Sequence, residues 1–506
     1  MMEDILNKLS SIKDLRVISR TSVLDYRDTK KPIPKVAAEL GVSHVLEGSV
    51  RKLGNQMRIN VSLVQAETDQ KIWSESYDRV MDDVFGIQAE IADRVGKGLE
   101  LTLLPKESSI LDYQPTENSI AYNLFLKARE QFYIYQGNRK EEELEKAYQL
   151  FDAAIKEDNG LAIAWAYLGK LNILKHTFFG AGPEQIDSAM MYIEKSIDLH
   201  PDLPEGFLFR SEVHELRKHL PLMEKDLKQA LALAPNSIEV LRNLGNYYVR
   251  ETDDLEKSIP YFKKAITLEP FSVRPIVAMS NVHKLVGNFE KSEKYLEKAV
   301  EIEPERLSTY MRLTDINLLK GNFLEAQKFA KKILEINPDF IWGDHILAEA
   351  YAFNGDYEAA EKHYRKIQNI VMEDGFVESY GTPPFRHRLG YVLSKRGKKI
   401  EAEGLINTMI DKNMGIVNSD VDNLGGARYD LTAAHAFLMK KDKSIYWLNR
   451  IFKDGSWFDY YYMNVDPLFD SIREDERFQK IMQREKLNLE EKRKRVNQME
   501  EVVFLY

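Results

Sequence analysis

Two histidines in the string HELRKH, His214 and His219, come nearest to a metal-binding helix in this sequence. Helical zinc ligands of the HExxH type stand four residues apart, so that both lie on one face of the helix. These histidines stand five apart, which indicates ordinary helix residues and not zinc ligands. The glycine string Gly96-Lys97-Gly98 lacks a third glycine and a preceding strand, so it does not predict a dinucleotide loop. Neither a P-loop nor a G-x-S-x-G motif occurs.

The composition excludes further classes of site. The chain has 506 residues, no cysteine and a formal net charge of −9. Without thiolates it has no disulfide, no cysteine nucleophile and no thiolate metal ligand. The negative charge argues against a nucleic-acid partner, because phosphate binding requires a basic face. Nothing in the sequence predicts a cofactor.

The location of the protein is predicted from what the sequence lacks. No run of 18 apolar residues occurs, and the start MMEDILNKLSSIKDLRV does not have the regions of a signal peptide. We therefore expect a cytoplasmic protein by default. A periplasmic location is the alternative if the chain is cut from a membrane-anchored parent.

Proline and glycine recur with a nearly constant period. The glycines Gly287, Gly321 and Gly355 stand 34 residues apart, and each is followed by Asn or Asp and then an aromatic residue. A glycine turn ends one helix, and a proline cannot continue the next. This period predicts hairpins of two helices, each of about 12–14 residues. Five prolines keep the same period, at Pro201, Pro235, Pro270, Pro304 and Pro338.

The repeated strings GNFEKSEKYLEKAVEIEP, GNFLEAQKFAKKILEINP and GDYEAAEKHYRKI resemble the tetratricopeptide (TPR) family over about residues 118–455. The resemblance implies about nine helical hairpins stacked as an all-α superhelix, an α-α solenoid. Such arrays present a concave surface built by the first helix of each pair. A protein or peptide partner is the ligand that this implies.

The resemblance also assigns individual residues to the concave groove. For any one of them, the alternative is a polar residue scattered on a solvated helix. The family's carboxylate clamp is matched at Arg242, Asn246 and Arg312 but not at Ala278 and Ser308, so we do not expect a clamp. The predicted groove residues are Arg242, Asn246, Arg274, Asn281, Met311, Asp315, Trp342, His345, Glu349 and Phe353.

The first 110 residues follow a different pattern. We predict a helix over 3–12, a buried strand over 15–20 and a helix over 33–41. Alternating residues then predict two strands joined by a Gly54-Asn55 turn, a third strand QKIWSESYDRV and a helix over 82–103. The order α-β-α-β-β-β-α predicts an α+β domain with a mixed sheet.

The strings RVISRTSVLDY, AAELGVSHVLEGSVRKLGNQMRINVSLVQAET and IWSESYDRVMDDVFGIQAEIA resemble the TolB-like domain that precedes TPR arrays in bacterial signalling proteins. Members of that family carry an additional first strand, which is missing here. The tail NVDPLFDSIREDERFQKIM also resembles the usual end of these proteins. The expected domains are 1–110 (TolB-like), 118–455 (TPR array) and 456–506 (capping segment and helical tail).

Three classes of function follow. The favoured one is a non-catalytic scaffold or sensory adaptor that binds a peptide or protein in the TPR groove. The alternative is the regulatory portion of a membrane signalling protein, either adenylate cyclase-like or transcription-regulator-like, whose effector domain is absent from this chain. An enzyme would require a polar cleft with perturbed pKa values in residues 1–110, and we do not expect one.

Overall fold

The fold is derived from a computed structural model. It describes residues 2–101 except 11, 13, 19, 24–25, 28, 54–55 and 81–83, then 114–374 except 253, and finally 385–418, 425–453 and 460–503. The chain forms two compact units, residues 1–272 and 273–506.

Described residues 2–98 form a small antiparallel sheet and four helices. One face of the sheet is covered by the first and the last of these helices, where Ile5 and Leu9 pack with Met57, Ile59 and Ile91. The three strands lie in sequence order, and both pairings are antiparallel. The elements are α1 (Met2–Ser10), α2 (Arg20–Val23), α3 (Ile33–Leu40), β1 (His44–Leu53), β2 (Gln56–Gln65), β3 (Gln70–Val80) and α4 (Val84–Gly98).

The predicted strand over 15–20 is wrong, and with it the mixed sheet. Residues 15–18 form no strand, and Arg20 begins α2. The segment is held in another way, since the Arg16 guanidinium donates to the carbonyl of Gly41 at 2.9 Å and Ile18 packs against Val36 and Leu40. Ile18 is thus buried against α3, whereas Leu15 and Val17 pack against the core of the sheet without pairing as a strand. The predicted Gly54-Asn55 turn lies outside the described residues.

A succession of helical pairs follows, and the fold class predicted from the repeats is confirmed. The described residues from 119 to 453 form nine consecutive antiparallel pairs, named hairpins 1 to 9. Hairpins 1 to 4 are α5 (Ser119–Asn138) with α6 (Glu141–Glu157), α7 (Ala162–Phe179) with α8 (Glu184–Leu199), α9 (Pro204–Leu216) with α10 (Leu220–Leu233), and α11 (Ile238–Arg250) with α12 (Leu255–Leu268).

The second unit holds the other five pairs. In each pair below, the helix named first is the first helix of the hairpin. The pairs are α13 (Val273–Leu285) with α14 (Phe289–Ile302), α15 (Leu307–Leu319) with α16 (Phe323–Ile336), α17 (Ile341–Phe353) with α18 (Tyr357–Asp374), α19 (Phe385–Lys395) with α20 (Lys399–Val417), and α21 (Gly425–Phe437) with α22 (Lys441–Lys453).

Close approach of two helices explains the small residues of the repeat. A methyl group added at Gly390 would lie 2.7 Å from Cγ1 of Ile406 in the partner helix, and one at Gly245 would overlap the ring of Phe262. Only glycine leaves room for the second helix at these points. The turn glycines, such as Gly287 with φ +77°, adopt the left-handed conformation that other residues rarely take.

A C-terminal segment follows hairpin 9. It consists of α23 (Tyr460–Val465), a 3₁₀ helix (Pro467–Ile472) and the long helix α24 (Glu476–Val503). Phe469 and Ile472 are fully buried in the same apolar core as Leu389 and Leu448 of hairpins 8 and 9. Within the described ranges, no helix combines the length and the apolar character needed to cross a membrane.

The repeat packing predicts that Ala299→Arg is strongly destabilising. Ala299 is fully buried in α14, so arginine there must both overpack the site and bury a charge, at a cost of more than about 3 kcal/mol. Urea unfolding followed by circular dichroism measures this loss. The control is Glu297→Arg, which places the same side chain at an exposed position of the same helix; equal stability of the two variants would contradict the assigned packing.

Candidate partner-binding surface

The predicted groove residues lie on the first helices of hairpins 4 to 7. In the first unit, Arg242 and Asn246 are half-buried and one turn apart on α11. First helices of this unit are also joined to each other, because the ammonium of Lys170 on α7 lies 2.5 Å from the carboxylate of Glu212 on α9. Burial raises the pKa of Glu205, also on α9.

The other eight predicted residues lie in the second unit. They range from exposed to buried, and several of them contact the C-terminal segment or a residue that binds it. Arg274 is exposed, His345 and Glu349 are buried, and the remaining five are half-buried: Asn281, Met311, Asp315, Trp342 and Phe353.

Asp315 joins a first helix to the C-terminal segment. Its carboxylate accepts a hydrogen bond from the hydroxyl of Tyr462 in α23. The same carboxylate lies 2.5 Å from the ammonium of Lys284 on α13. The predicted groove residue is therefore already bound by a residue of its own chain.

Arg388 forms a buried contact with the segment. This residue of α19 donates to the carboxylate of Asp466 at 2.7 Å, and its guanidinium lies 3.2 Å from the carboxylate of Glu349 on α17. The hydroxyl of Tyr429 on α21 donates to Asp466 at 2.7 Å, and Asp466 accepts the amide of Leu468 at 3.0 Å. One wholly buried carboxylate thus connects two first helices and caps the 3₁₀ helix.

The charges in this cluster depend on one another. Burial alone would lower the pKa of Arg388, but the carboxylates of Asp466 and Glu349 raise it well above its ordinary value. Burial raises the pKa of Glu349, and the charge of Arg388 offsets only part of this rise. The guanidinium also lies 6.0 Å from the ring centroid of Phe353. The cluster is therefore a permanent cation enclosed by acids and an aromatic ring.

Two histidines near this cluster are kept neutral by burial. Burial, and then the charge of Arg388, lower the pKa of His345 to about 3 and that of His387 well below its usual range. Nε2 of His387 lies 3.6 Å from the carboxylate of Asp430, whose pKa burial raises to about 7. Among the described residues, no group of three or more His, Asp or Glu side chains could hold a metal ion.

The end of α24 occupies a second polar site, in hairpin 5. The carboxylate of Glu500 lies 2.7 Å from the ammonium of Lys291, 3.2 Å from the hydroxyl of Tyr295 and 3.4 Å from Nε2 of His283. Although burial opposes it, these neighbours hold the pKa of Glu500 at about 2. We call His283, Lys291 and Tyr295 the hairpin-5 pocket.

The turn of hairpin 5 is contacted by the same segment. The amide of Asn288 donates to the side chain of Asn497 at 2.9 Å. The ring of Tyr461 lies 5.1 Å from that of Phe289 and covers Gly287, where a methyl group would overlap its hydroxyl. Both α23 and α24 therefore reach back to this hairpin.

Sequence reasoning missed the residues that make these contacts: Lys284, Arg388, Tyr429, Tyr462, Asp466 and Glu500. One signal was available, because an Asp followed by Pro is typical of a helix start, and Asp466-Pro467 does begin the 3₁₀ helix. Its distant partner Arg388 has no signature of its own in the sequence.

Comparison with known families agrees with the repeat architecture. The sequence model of the tetratricopeptide repeat family matches residues 238–272, 274–306 and 345–370. These segments cover hairpins 4 and 5 and part of hairpin 7. The fold is therefore a small three-stranded antiparallel sheet with helices, followed by a helical TPR solenoid.

One curated relative is the candidate "adenylate cyclase 3" of Rhizobium meliloti (strain 1021), 31% identical over 209 residues. The match covers 40% of this chain and 34% of the relative, so the chain spans about a third of the relative's length.

Solved structures that match include a TPR protein of Parabacteroides merdae ATCC 43184, 14% identical, covering 54% of this chain and 98% of that one at a TM-score of 0.37. Pseudomonas aeruginosa pilF is 15% identical, with 43% and 94% coverage and a TM-score of 0.36. YrrB, described as a TPR protein with an unusual peptide-binding site, is 16% identical, with 38% and 96% coverage and a TM-score of 0.29.

The buried ion pair predicts that Arg388→Met is destabilising. The change leaves Asp466 and Glu349 in the interior without their cation, and such losses cost about 3–5 kcal/mol. Chemical unfolding measures the loss, and adding Asp466→Asn should restore part of it. Arg386→Met, at a half-buried position two residues away, is the control; an equally small effect of both changes would contradict the role of the pair.

Asp430 predicts a pH dependence of stability. Its folded pKa is about 7, whereas an unfolded aspartate titrates near about 3.9. Stability from this group is therefore full below about pH 4 and is lost as the pH rises through 7. Asp430→Asn should raise Tm more at pH 8 than at pH 5, by a difference on the order of 2–4 °C. The exposed Asp411→Asn is the control, and a gain independent of pH would refute the assignment.

Proposed function

We propose that this chain is a non-catalytic interaction scaffold or sensory adaptor that binds a peptide or protein partner on the first helices of its TPR hairpins. The observation that carries the proposal is the contact of α23 and Asp466 with those helices. A stretch of polypeptide is held there by Arg388, Tyr429 and Asp315.

The chemistry of these contacts is suited to peptide recognition. A guanidinium and a phenol hydroxyl bind one carboxylate, and an acid binds a tyrosine hydroxyl one helical turn earlier. Arginine and aromatic groups contribute most of the energy in protein interfaces. The net charge of −9 supports a protein partner and not a nucleic acid.

The N-terminal domain completes the proposal. Its segments resemble the TolB-like domain, and we propose that it senses or docks while the array binds. The side-chain amide of Asn236, between hairpins 3 and 4, donates to the carbonyls of Ile12 and Leu15, each at 3.0 Å. Such direct hydrogen bonds support a domain fixed to the array, so that a ligand on one could affect the other.

A second candidate function is favoured by the likeness to the Rhizobium meliloti protein. In that case the chain is the regulatory portion of an adenylate cyclase-like signalling protein. Mapping the transcript tests this, since a reading frame that continues into an effector domain supports it. A messenger that codes for this chain alone would favour the scaffold.

The proposed groove predicts that Arg242→Glu combined with Arg274→Glu weakens partner binding. Both residues lie on first helices, and reversing their charge should reduce affinity at least about tenfold if the partner contacts them. The partner is first identified by cross-linking in extracts of the source organism and then purified. Its Kd for each variant is measured by calorimetry.

The matched control is Lys225→Glu combined with Lys298→Glu. Both lysines are exposed on second helices, and the change of charge is the same. Binding that is undiminished in the folded Arg242/Arg274 variant, or equally weakened in the control, would refute the first-helix assignment.

A further inference from the structure

The helix α24 lies along the second unit. The guanidinium of Arg477 near its start lies 2.8 Å from Asp442 of hairpin 9, whereas Glu500 near its end lies in the hairpin-5 pocket. The helix rise places these two residues about 35 Å apart. One helix therefore reaches from the last hairpin of this unit to its first.

The buried side of α24 changes character along its length. Its first half packs Phe478, Ile481 and Met482 into the apolar core. In the distal half, defined as residues 489–503, Leu489 still belongs to this core, and two of the four buried positions among the described side chains are charged. The buried positions of the whole helix are Phe478, Ile481, Met482, Glu485, Leu489, Lys492, Val496 and Glu500.

This gradient predicts how firmly each half is held. Apolar burial makes the first half a permanent cap, because leaving the core would expose its side chains to water. Polar contacts contribute less net stability, since water replaces them when they break. The distal half buries fewer apolar side chains than the first, only Leu489 and Val496, so we expect it to open at a lower cost.

The hairpin-5 pocket is built to receive a carboxylate. Lys291 and Tyr295 donate to the two oxygens of one acid, and Nε2 of the buried His283 lies 3.4 Å from it. Beside them Asn288 binds an amide three residues earlier on the same helix. The pocket therefore recognises a helix that carries an amide and an acid at positions i and i+3.

We propose that the hairpin-5 pocket is a recognition site for an amphipathic helix of a partner that carries an amide and an acid three residues apart, and that the distal half of α24 occupies it reversibly in the same chain. The proposal rests on the scaffold function proposed above and specifies one class of partner. The partner helix displaces Asn497 and Glu500 and places its own amide and acid on Asn288, Lys291 and Tyr295.

The test uses the full chain with Asn497→Ala and Glu500→Gln, which weakens the internal contact at the end of α24. The probe is a labelled synthetic peptide of residues 487–503, titrated by fluorescence anisotropy. In the parent, the tethered helix competes at a high effective concentration. The weakened chain should therefore bind the probe at least about tenfold more tightly than the parent.

Control variants distinguish binding in the pocket from nonspecific binding. Gln498→Ala with Glu501→Gln also changes one amide and one glutamate, but at exposed positions of α24, and should bind like the parent. A probe with glutamine in place of Glu500 should bind at least about tenfold less tightly. Lys291→Gln with Tyr295→Phe, added to the weakened chain, should abolish binding.

Hydrogen exchange provides a second measurement. Residues 489–503 should exchange faster in the weakened chain, while Phe478 to Met482 stay protected. Unchanged exchange, or a folded weakened chain that binds the probe no better than the parent, would overturn the proposal. The Arg242/Arg274 experiment is independent, so partner binding that depends on those arginines would leave the scaffold function standing even then.

Discussion

The second unit depends on one buried ion pair, between Arg388 and Asp466. A carboxylate with no exposed surface is stable only when its charge is balanced and its oxygens are hydrogen bonded. Asp466 meets this condition through Arg388, Tyr429 and the amide of Leu468.

That contact also fixes the path of the chain. From Asp466, one helical turn backwards brings Tyr462 to Asp315, and the 3₁₀ helix that follows buries Phe469 and Ile472. Removing the ion pair would therefore disturb both the contacts of α23 with the first helices and the position at which α24 begins. The C-terminal segment therefore binds the hairpins of its own unit because of the Arg388–Asp466 ion pair. The proposed competition with a partner depends on this internal binding.

The period of the repeat was predictable, because it is imposed by local sterics. Turn glycines such as Gly287, close-approach sites such as Gly245 and Gly390, and buried Ala299 are each determined by neighbours within one hairpin. Such constraints recur at a fixed spacing and can be recognised in a single sequence. The placement of the predicted groove residues on first helices depended on the same periodicity.

The contacts of those residues were not predictable from the period. Glu349 is buried against Arg388 because the C-terminal segment returns along the array, and nothing local to either residue indicates this return. The prediction of a strand over 15–20 was wrong for a related reason. Its apolar residues satisfied a strand pattern, but Arg16 and Ile18 are held by α3 and Gly41, so tertiary contacts overrode the local pattern.

The two ends of the C-terminal segment perform different physical tasks. A repeat array needs its last hairpin covered, since an open end exposes the apolar surface that the next repeat would bury. Phe469, Phe478 and Ile481 cover this surface at hairpin 9. The 3₁₀ helix and the first half of α24 are therefore sufficient to cap the array. The distal half of α24 lies beyond what capping requires, yet Glu500 is bound by Lys291 and Tyr295 of hairpin 5 and lies 3.4 Å from His283. A helix that continues past its capping role into a built carboxylate pocket is better explained by occupancy of a binding site than by stability alone.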